Sequence, residues 1–320
     1  MKTSNQPKSL LKLIGQSPIR LAIGNFDGVH IGHRRLISTM VSEAQAAGQS
    51  SVIMTFSPHP SQYFGRIEGF KKIDTPMIQR RILAELGVTG LLEVRFDAAV
   101  AGMTAQQFLR ELVESLPLKE VTVGSDFRFG QNRVGNVELL ALHGKNHGYT
   151  VSIMEKMSIN GEVASSSSVR LRLIQEGDVE GAARILGRAY CLQGTVSKGD
   201  QVGRTIGFPT ANIGDIQQLI PMNGVYAGRM KLLPETSTGD EGGARLPCVI
   251  SIGVRPTISQ SGVGERRIEA HIYEASGANL DIYGRAVEIE FTKHLRAEKR
   301  FDGLESLKAQ IAKDIAQARA

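Results

Sequence analysis

The fold of the first half is decided by the stretch RLAIGNFDGVHIGHRRLI (residues 20–37), in which an apolar run leads through a glycine-rich turn into a helical pattern. Where a strand leads through a tight turn into a helix, backbone N–H groups point outward at the positive end of the helix dipole. This arrangement is a natural binding site for a phosphate. His30 and His33 stand at this joint, where their rings can add N–H donors. The stretch has neither the Gly-Lys-Ser/Thr of a Walker loop nor a GxGxxG fingerprint. An ordinary placement, with one histidine capping the helix and the other exposed, stays open.

The rest of the first half alternates short apolar runs with helical patterns. Gly48 is placed to end the first helix, and Thr104 and Gln107 have the spacing of a capping box. The alternation predicts a parallel sheet covered by helices on both faces, whose ligands lie beyond the carboxyl ends of the strands. The expected strands are RLAIG (20–24), SVIMTF (51–56), GLLEVRF (90–96), EVTVG (120–124) and YTVSIM (149–154).

After about Gly187 the pattern changes to short strands with period-two stretches and glycine turns. This pattern predicts an antiparallel barrel or sandwich. The polar, glycine-rich segment 235–245 is expected to be a mobile loop. The apolar stripe of a final helix, which should pack onto the β domain, consists of Leu304, Leu307, Ile311 and Ile315.

At 320 residues the chain is expected to form two domains. We place them at residues 1–184 and 185–320, with the boundary near a helix that Asp178 can cap.

Composition narrows the class of protein. Hydrophobic residues make up 41% and charged residues 22% of the chain, which is typical of a globular protein. The charge of +6 is modest and aromatic residues are only 5%, so we expect no nucleic-acid partner. Cys191 and Cys248 are too few for a disulfide scaffold and are expected to be buried thiols in a reducing cytoplasm. We expect neither a signal peptide nor a membrane span.

The turn GNFDGVHIGH (24–33) resembles the signature of the HxGH nucleotidylyltransferases. Its GxFDGVHxGH form is similar to that of the bacterial bifunctional riboflavin kinase/FAD synthetase family. The resemblance extends from about residue 18 to the end. Further motifs follow in the family's order: TFSPHP (55–60), VGSDFRFG (123–130), SSSSVR (165–170), GRTIGFPTANI (203–213), GVYAGR (224–229), GVRPTI (253–258) and IEAHIYEASGANLDIYG (268–284).

This resemblance implies two ATP reactions on two domains. A Rossmann-like α/β domain would transfer AMP from ATP to FMN, giving FAD and pyrophosphate. A six-stranded antiparallel barrel would phosphorylate riboflavin to FMN. Both reactions need a divalent metal, most simply Mg²⁺, held by few protein ligands and much phosphate oxygen. The partners are then small-molecule substrates, and the chain is expected to be a monomer or a weak homo-oligomer.

For the first domain the resemblance implies an ATP site at the turn and a flavin site beside it. The residues that would bind ATP are Gly24, Asn25, Phe26, Asp27, Gly28, His30, His33, Ser165, Ser166, Ser167 and Arg170. Of these, His30, His33 and Arg170 would act on the phosphates in catalysis. The flavin residues would be His59, Asp126, Phe127 and Asn132. A linker at the serine run and a solvated loop at Asp126 are the ordinary alternatives.

For the second domain the resemblance implies that GFPTAN (207–212) binds ATP and metal. Gly207 would permit a tight backbone, and the oxygens of Thr210 and Asn212 would ligate Mg²⁺. Glu269 would orient or deprotonate the ribityl hydroxyl of riboflavin. Period-two alternation places Glu269 and His271 on one face of a strand. A simple β-turn and a solvated strand face are the ordinary alternatives.

The chain departs from the family pattern in ways that leave function open. Ser168 replaces an arginine, and the loss of one donor to pyrophosphate could slow adenylylation by up to about 10²-fold. Ser251 replaces an asparagine, Ile258 an aromatic residue and Asn136 an acid. A flavin or nucleotide sensor that has lost one or both activities is therefore an alternative. An adenylyltransferase for another phosphorylated acceptor is a third.

Overall fold

The structure is a computed structural model that describes residues 1–65, 69–197, 208–234, 243–254, 266–273 and 282–319. Of the loop expected at 235–245, residues 235–242 lie outside the described residues. Ile258 also lies outside them. The chain divides into two compact units, residues 1–72 with 76–166 and residues 73–75 with 167–320. The boundary between residues 184 and 185 stays a prediction. No helix in these described ranges is long and apolar enough to span a bilayer.

The first unit contains a six-stranded sheet with the order β1-β4-β3-β2-β5-β6, and every pairing in it is parallel. The predicted parallel sheet is therefore confirmed. The strands are β1 (Lys2–Ser4), β2 (Ile19–Ile23), β3 (Ser50–Ser57), β4 (Gly90–Arg95), β5 (Leu118–Gly124) and β6 (Thr150–Met154), and a small hairpin consists of β7 (Ser158–Ile159) and β8 (Glu162–Val163). The helices are α1 (Pro7–Ile14), α2 (Ile31–Ala46), α3 (Pro60–Tyr63), α4 (Pro76–Glu85), α5 (Ala98–Gly102), α6 (Ala105–Ser115) and α7 (Val137–His147).

Strand β2 lies in the interior of the sheet, and its side chains are apolar except for Arg20, which pairs with Glu43 and Glu120. Ile19, Leu21 and Ala22 are fully buried, and helices cover the sheet. The capping box of α6 is confirmed, since Thr104 and Gln107 exchange side-chain to backbone hydrogen bonds of 3.2 and 2.8 Å. Strand β1 and helix α1 were not predicted, because three edge residues and a short helix carry too little periodicity.

The second unit is a closed barrel with the strand order β10-β13-β12-β11-β14-β9. Of the two architectures that the strand pattern left open, the barrel is confirmed. The barrel strands are β9 (Tyr190–Ser197), β10 (Ala211–Gly214), β11 (Gly224–Leu232), β12 (Leu246–Val254), β13 (Arg266–Ile272) and β14 (Ala286–Arg296). Helix α8 (Ser166–Leu171) begins at the last residue of the first unit, and a π-helical turn at Arg172–Glu176 follows it. The other helices of the second unit are α9 (Val179–Leu186) and α10 (Leu304–Arg319).

Helix α10 packs on β11, β12 and β14, as predicted for the last helix. The prediction that Leu304 belongs to the packed apolar stripe was wrong, because this residue is 56% exposed at the first position of the helix. Asp314 is buried instead and accepts hydrogen bonds from the guanidinium of Arg296. The predicted cap of α9 is confirmed, since Asp178 accepts from the backbone N–H of Gly181 at 2.7 Å. Cys191 and Cys248 are buried free thiols, also as predicted.

Three residues from the first half of the sequence, Ile73–Thr75, pack within the second unit. Thr75 donates to Gln193 of β9, and Asp74, which is 1% exposed, forms an ion pair with Arg188. The guanidinium of Arg188 is itself largely buried, with 17% of its side chain exposed. A buried cation depends on its counter-charge, because the protein interior cannot replace the water that it has lost.

We expect Asp74→Asn to lower the free energy of unfolding by about 3 kcal/mol, because it leaves a buried guanidinium without a carboxylate. Urea unfolding of the whole chain measures this loss. The control is Glu305→Gln, which removes an exposed carboxylate 3.0 Å from Lys308 and should cost less than about 0.5 kcal/mol. Equal, small losses for the two variants would contradict the argument.

Candidate functional site

Three adjacent strands of the first unit, β3, β2 and β5, end at one edge of the sheet. The residues that the sequence singled out follow these three strands directly: the turn at 24–33 follows β2, His59 follows β3, and Asp126 and Phe127 follow β5. Because the strands are parallel, their carboxyl ends meet, and the predicted residues come to one edge.

The turn after β2 has an unusual backbone. Phe26, Gly28 and Val29 have φ angles of +47°, +82° and +35°, which is costly for the two residues with side chains. Neighbouring elements hold it in place. The side-chain amide of Gln79 donates to the carbonyl oxygens of Asn25 and Phe26 at 3.2 and 3.0 Å, and Thr55 also donates to Asn25.

His30 is the N-cap of α2, and its Nδ1 accepts a weak hydrogen bond of 3.4 Å from the backbone N–H of His33. The two imidazole rings stack with their centroids 3.6 Å apart. Gly32 leaves room for this ring, because a Cβ there would make a tight contact of 3.2 Å with His30. One histidine does cap the helix, but the other is packed against its neighbour and against Phe26 rather than exposed.

Both imidazoles are uncharged at neutral pH. Burial lowers the pKa of His30 from 6.5 to about 4, and the charge of Asp27 opposes this only in part. Burial, and after it the neighbouring His30, lowers the pKa of His33 well below 6.5. With Nδ1 of His30 accepting a hydrogen bond, the ring proton lies on Nε2. The ring can therefore donate a hydrogen bond without carrying a charge.

Two buried polar atoms next to this joint have no hydrogen-bond partner among the described residues. They are Nδ1 of His33 and Nη1 of Arg34. Leaving buried polar atoms unpaired costs about 1–3 kcal/mol each, so such atoms call for an explanation. Side chains of a helix lean toward its N-terminus, so the Arg34 side chain is expected to lie toward the start of α2. An anion at the helix start would accept from Nη1 of Arg34, and from Nδ1 of His33 where that nitrogen carries the ring proton.

The serine run begins a helix, as predicted. Ser166 is the first residue of α8, and its hydroxyl donates to the carbonyl oxygen of Asp27 at 2.8 Å. Ser165 comes directly before it. Ser167, Ser168 and Arg170 continue the helix in the second unit. The run is thus an ordered helix start rather than a linker.

The residues predicted for the flavin lie in two further segments of the same edge. His59 caps α3 by accepting from the N–H of Ser61 at 3.0 Å, and its ring stacks on Phe70. Phe127 stacks on Phe129, whereas the Asp126 carboxylate is largely exposed and lies 3.0 Å from the Lys156 ammonium.

The loop after β5 ends at helix α7. Asn132 is exposed with a φ of +55°. Asn136 caps α7 by accepting from the N–H of Leu139 at 2.9 Å. Asn136 is therefore the N-cap of α7, and this capping role is sufficient to explain an asparagine at this position.

In the second unit the barrel brings Asn212 and Glu269 together, because they are directly opposed in the antiparallel pairing of β10 with β13. Directly opposed residues point to the same face of a sheet. The Nε atom of Arg267 lies between them, 2.7 Å from Oδ1 of Asn212 and 3.2 Å from Oε1 of Glu269. Asn212 and Glu269 are distant in sequence, and both contact the guanidinium of Arg267.

Thr210 comes two residues before Asn212 and is half-buried. The chain here is tethered by His271, whose Nδ1 donates to the carbonyl oxygen of Pro209 at 2.8 Å. Burial lowers the pKa of His271, although the bond to Pro209 opposes the shift. Gly207 lies outside the described residues. In the described ranges no group of three or more His, Cys, Asp or Glu side chains could hold a metal ion.

Comparisons with known proteins match both units. A family model for FAD synthetase matches residues 15–168, and one for riboflavin kinase matches residues 186–320. A bifunctional riboflavin kinase/FMN adenylyltransferase from Escherichia coli K12 is 38% identical over 93% of this chain and 91% of its own length. The chain belongs to the bifunctional riboflavin kinase/FMN adenylyltransferase family. The resemblance found from the motifs is therefore confirmed.

Other relatives agree with this membership. The bifunctional riboflavin kinase/FMN adenylyltransferase from Bacillus subtilis 168 is 35% identical over 93% of this chain and 90% of its own length. A solved structure described as a macrolide-efflux protein from Streptococcus pneumoniae is 26% identical, with a TM-score of 0.83 over 99% of this chain and 98% of that one. The two-domain fold predicted from the family is confirmed.

Sequence reasoning missed Gln79, Arg34 and Arg267. Gln79 is 1% exposed on the apolar face of α4, and a glutamine on such a face was a usable signal. Arg34 and Arg267 carry no local signal, because arginines next to a histidine or in a strand are ordinary surface residues.

The burial of His30 makes stability depend on pH. The unfolded chain takes up a proton near pH 6.5, while the folded chain resists protonation to about pH 4. Stability should therefore be complete above pH 6.5 and fall as the pH drops toward 4, by up to about 3 kcal/mol from this group. His30→Asn keeps a capping oxygen but cannot titrate, so its unfolding free energy should fall less over this range. Parallel curves for the two proteins in urea unfolding at several pH values would contradict the assignment.

Proposed function

We propose that the first unit transfers AMP from ATP to FMN and that the second phosphorylates riboflavin with ATP. The observation that supports this is that the candidate residues form two clusters in one chain, one in each unit. One is the imidazole-flanked helix start at His30 and His33, and the other is the Asn212–Glu269 pair of the barrel. The membership of both units in the family supports the order of the two reactions, with FMN as the product of one and the acceptor of the other.

In the adenylyl transfer an FMN phosphate oxygen attacks the α-phosphorus of ATP, and pyrophosphate leaves. Charge grows on the non-bridging and leaving oxygens, so fixed N–H donors stabilise the transition state. The Nε2–H of His30, the unpaired atoms of His33 and Arg34, and the start of α2 supply such donors. Arg170 and the serine hydroxyls would hold the departing phosphates. His59, Asp126, Phe127 and Asn132 are the proposed flavin residues at the same edge.

In the kinase step Glu269 would accept the proton of the terminal ribityl hydroxyl while that oxygen attacks the γ-phosphorus of ATP. The hydroxyl of Thr210 and the amide oxygen of Asn212 are hard oxygen donors of the kind that Mg²⁺ prefers, and Asn212 Oδ1 already contacts a cationic nitrogen. When bound, Mg²⁺ would neutralise phosphate charge. Gly207 is proposed to complete the ATP-binding segment.

We also propose small-molecule substrates without nucleic acid, a cytoplasmic location, and a monomer or weak homo-oligomer. The buried free thiols and the modest charge of +6 support these assignments. A sensor without turnover is less favoured, because Glu269 and both histidines are present and placed together with their neighbours.

The test of the proposed function is to incubate the protein with riboflavin, ATP and MgCl₂ and to separate the flavins by chromatography. FMN should form first and FAD after it. Formation of neither flavin would refute the proposal. FMN without FAD would restrict it to the second unit, and tight flavin binding without turnover would favour the sensor.

Single substitutions should separate the two steps. Glu269→Ala should slow FMN formation by about 10²–10⁴-fold and leave the conversion of FMN to FAD intact, because it removes only the proton acceptor. His33→Ala should slow FAD formation by about 10²–10³-fold and spare the kinase. Glu305→Ala and His147→Ala, at exposed positions, are the matched controls. A folded variant that lost both activities equally would contradict the two-site assignment.

The glycine beneath the His30 ring offers a test of positioning. Gly32→Ala should slow FAD formation by about tenfold or more, because the new methyl group displaces the imidazole. Gly102→Ala is the control, since a Cβ there meets no atom within 4 Å. Kinase rates should be unchanged in both variants. An unchanged rate of FAD formation in Gly32→Ala would show that the His30 ring position is unimportant.

A further inference from the structure

Arg267 occupies an unexpected place in the barrel. Its Nε atom touches the amide oxygen of Asn212 and the carboxylate of Glu269, at 2.7 and 3.2 Å. Strand alternation explains this, because Arg267 and Glu269 are two apart on β13 and Asn212 faces Glu269 across the pair. The two groups that the kinase step is proposed to need, a metal ligand and a proton acceptor, are therefore both engaged by one cation.

The contact is poorly explained as a stabilising ion pair. About 30% of the Arg267 and Glu269 side chains is exposed, and partly exposed pairs contribute little to stability. It does, however, place a permanent positive charge against the oxygen that would meet a divalent cation. Two cations on neighbouring oxygens repel each other, so the guanidinium and the metal compete for this position.

We propose that Arg267 is a built-in counter-cation of the kinase site, which divalent metal must displace from Asn212 and Glu269 before phosphoryl transfer. The inference rests on the proposed kinase function. Arg267 acts through its neighbours and is a positioning residue, not a catalytic one. In the absence of metal it keeps Asn212 and Glu269 in register. By competing with metal it raises the concentration of Mg²⁺ that the kinase requires.

The test measures metal binding directly on the full chain. Mn²⁺ is titrated, with a non-hydrolysable ATP analogue present, and free Mn²⁺ is followed by electron paramagnetic resonance. The binding component that Asn212→Ala removes is the barrel site, and any contribution from the first unit is common to all variants. Arg267→Met, which keeps the apolar stem and removes the charge, should tighten this component by roughly tenfold.

The matched control is Arg245→Met, which removes the same charge from an ion pair with Glu290 on the same barrel. It should leave Mn²⁺ binding unchanged. The difference between wild type and Arg267→Met should shrink at high KCl, because salt screens the repulsion. In the flavin assay, the Mg²⁺ concentration for half-maximal FMN formation should fall by the same factor.

The outcomes separate this inference from the proposed function. Unchanged Mn²⁺ binding in Arg267→Met would overturn the inference, whether or not FMN is formed. A lower kcat or a higher KM for ATP, without a change in Mn²⁺ affinity, would also overturn it and make Arg267 a support for the base or a phosphate ligand. If the wild type formed no FMN, the kinase assignment would fail, while the Mn²⁺ titration would still decide whether Arg267 opposes metal.

Discussion

The parallel pairing of β2 with β3 and β5 is the constraint on which the first site depends. Three chain segments that are distant in sequence leave the sheet at the same edge because their strands run the same way. Strand β2 is mostly buried, and the turn after it has positive φ angles at Phe26 and Val29. Gln79 of α4 and Thr55 of β3 donate hydrogen bonds to that turn and so attach it to the neighbouring elements.

The second site depends on a different constraint, the closure of the barrel. Closure removes free strand edges and fixes the register of every neighbouring pair. Asn212 therefore lies opposite Glu269, and Arg267 reaches both. The close approach of neighbouring barrel strands requires glycine at some positions. A Cβ at Gly228 would lie 2.2 Å from the carbonyl oxygen of Glu290, so β11 can approach β14 only without a side chain there.

The two sites use positive charge differently. The imidazoles of the first unit are uncharged, because burial lowers their pKa, so each ring can donate one hydrogen bond to a phosphate without carrying a charge. Arg34 then carries a fixed charge beside them, at a helix start that has no acidic residue in its first turn. In the barrel the fixed charge of Arg267 already contacts oxygen atoms. The first site thus has buried polar atoms without a hydrogen-bond partner, whereas in the barrel the guanidinium of Arg267 is already bonded to Asn212 and Glu269.

Most helices and strands could be predicted from the sequence, because caps and periodicity are local. The Thr104 capping box, the Asp178 cap and most strands could be read within a few residues, and ordered motifs indicated the family. The short edge strand β1, the three-residue segment at Asp74 and the roles of Gln79 and Arg267 could not be predicted in this way. Each depends on a partner from about 50 to more than 100 positions away, as between Asp74 and Arg188. These contacts depend on the folded chain, because folding, not local propensity, brings distant side chains within bonding distance.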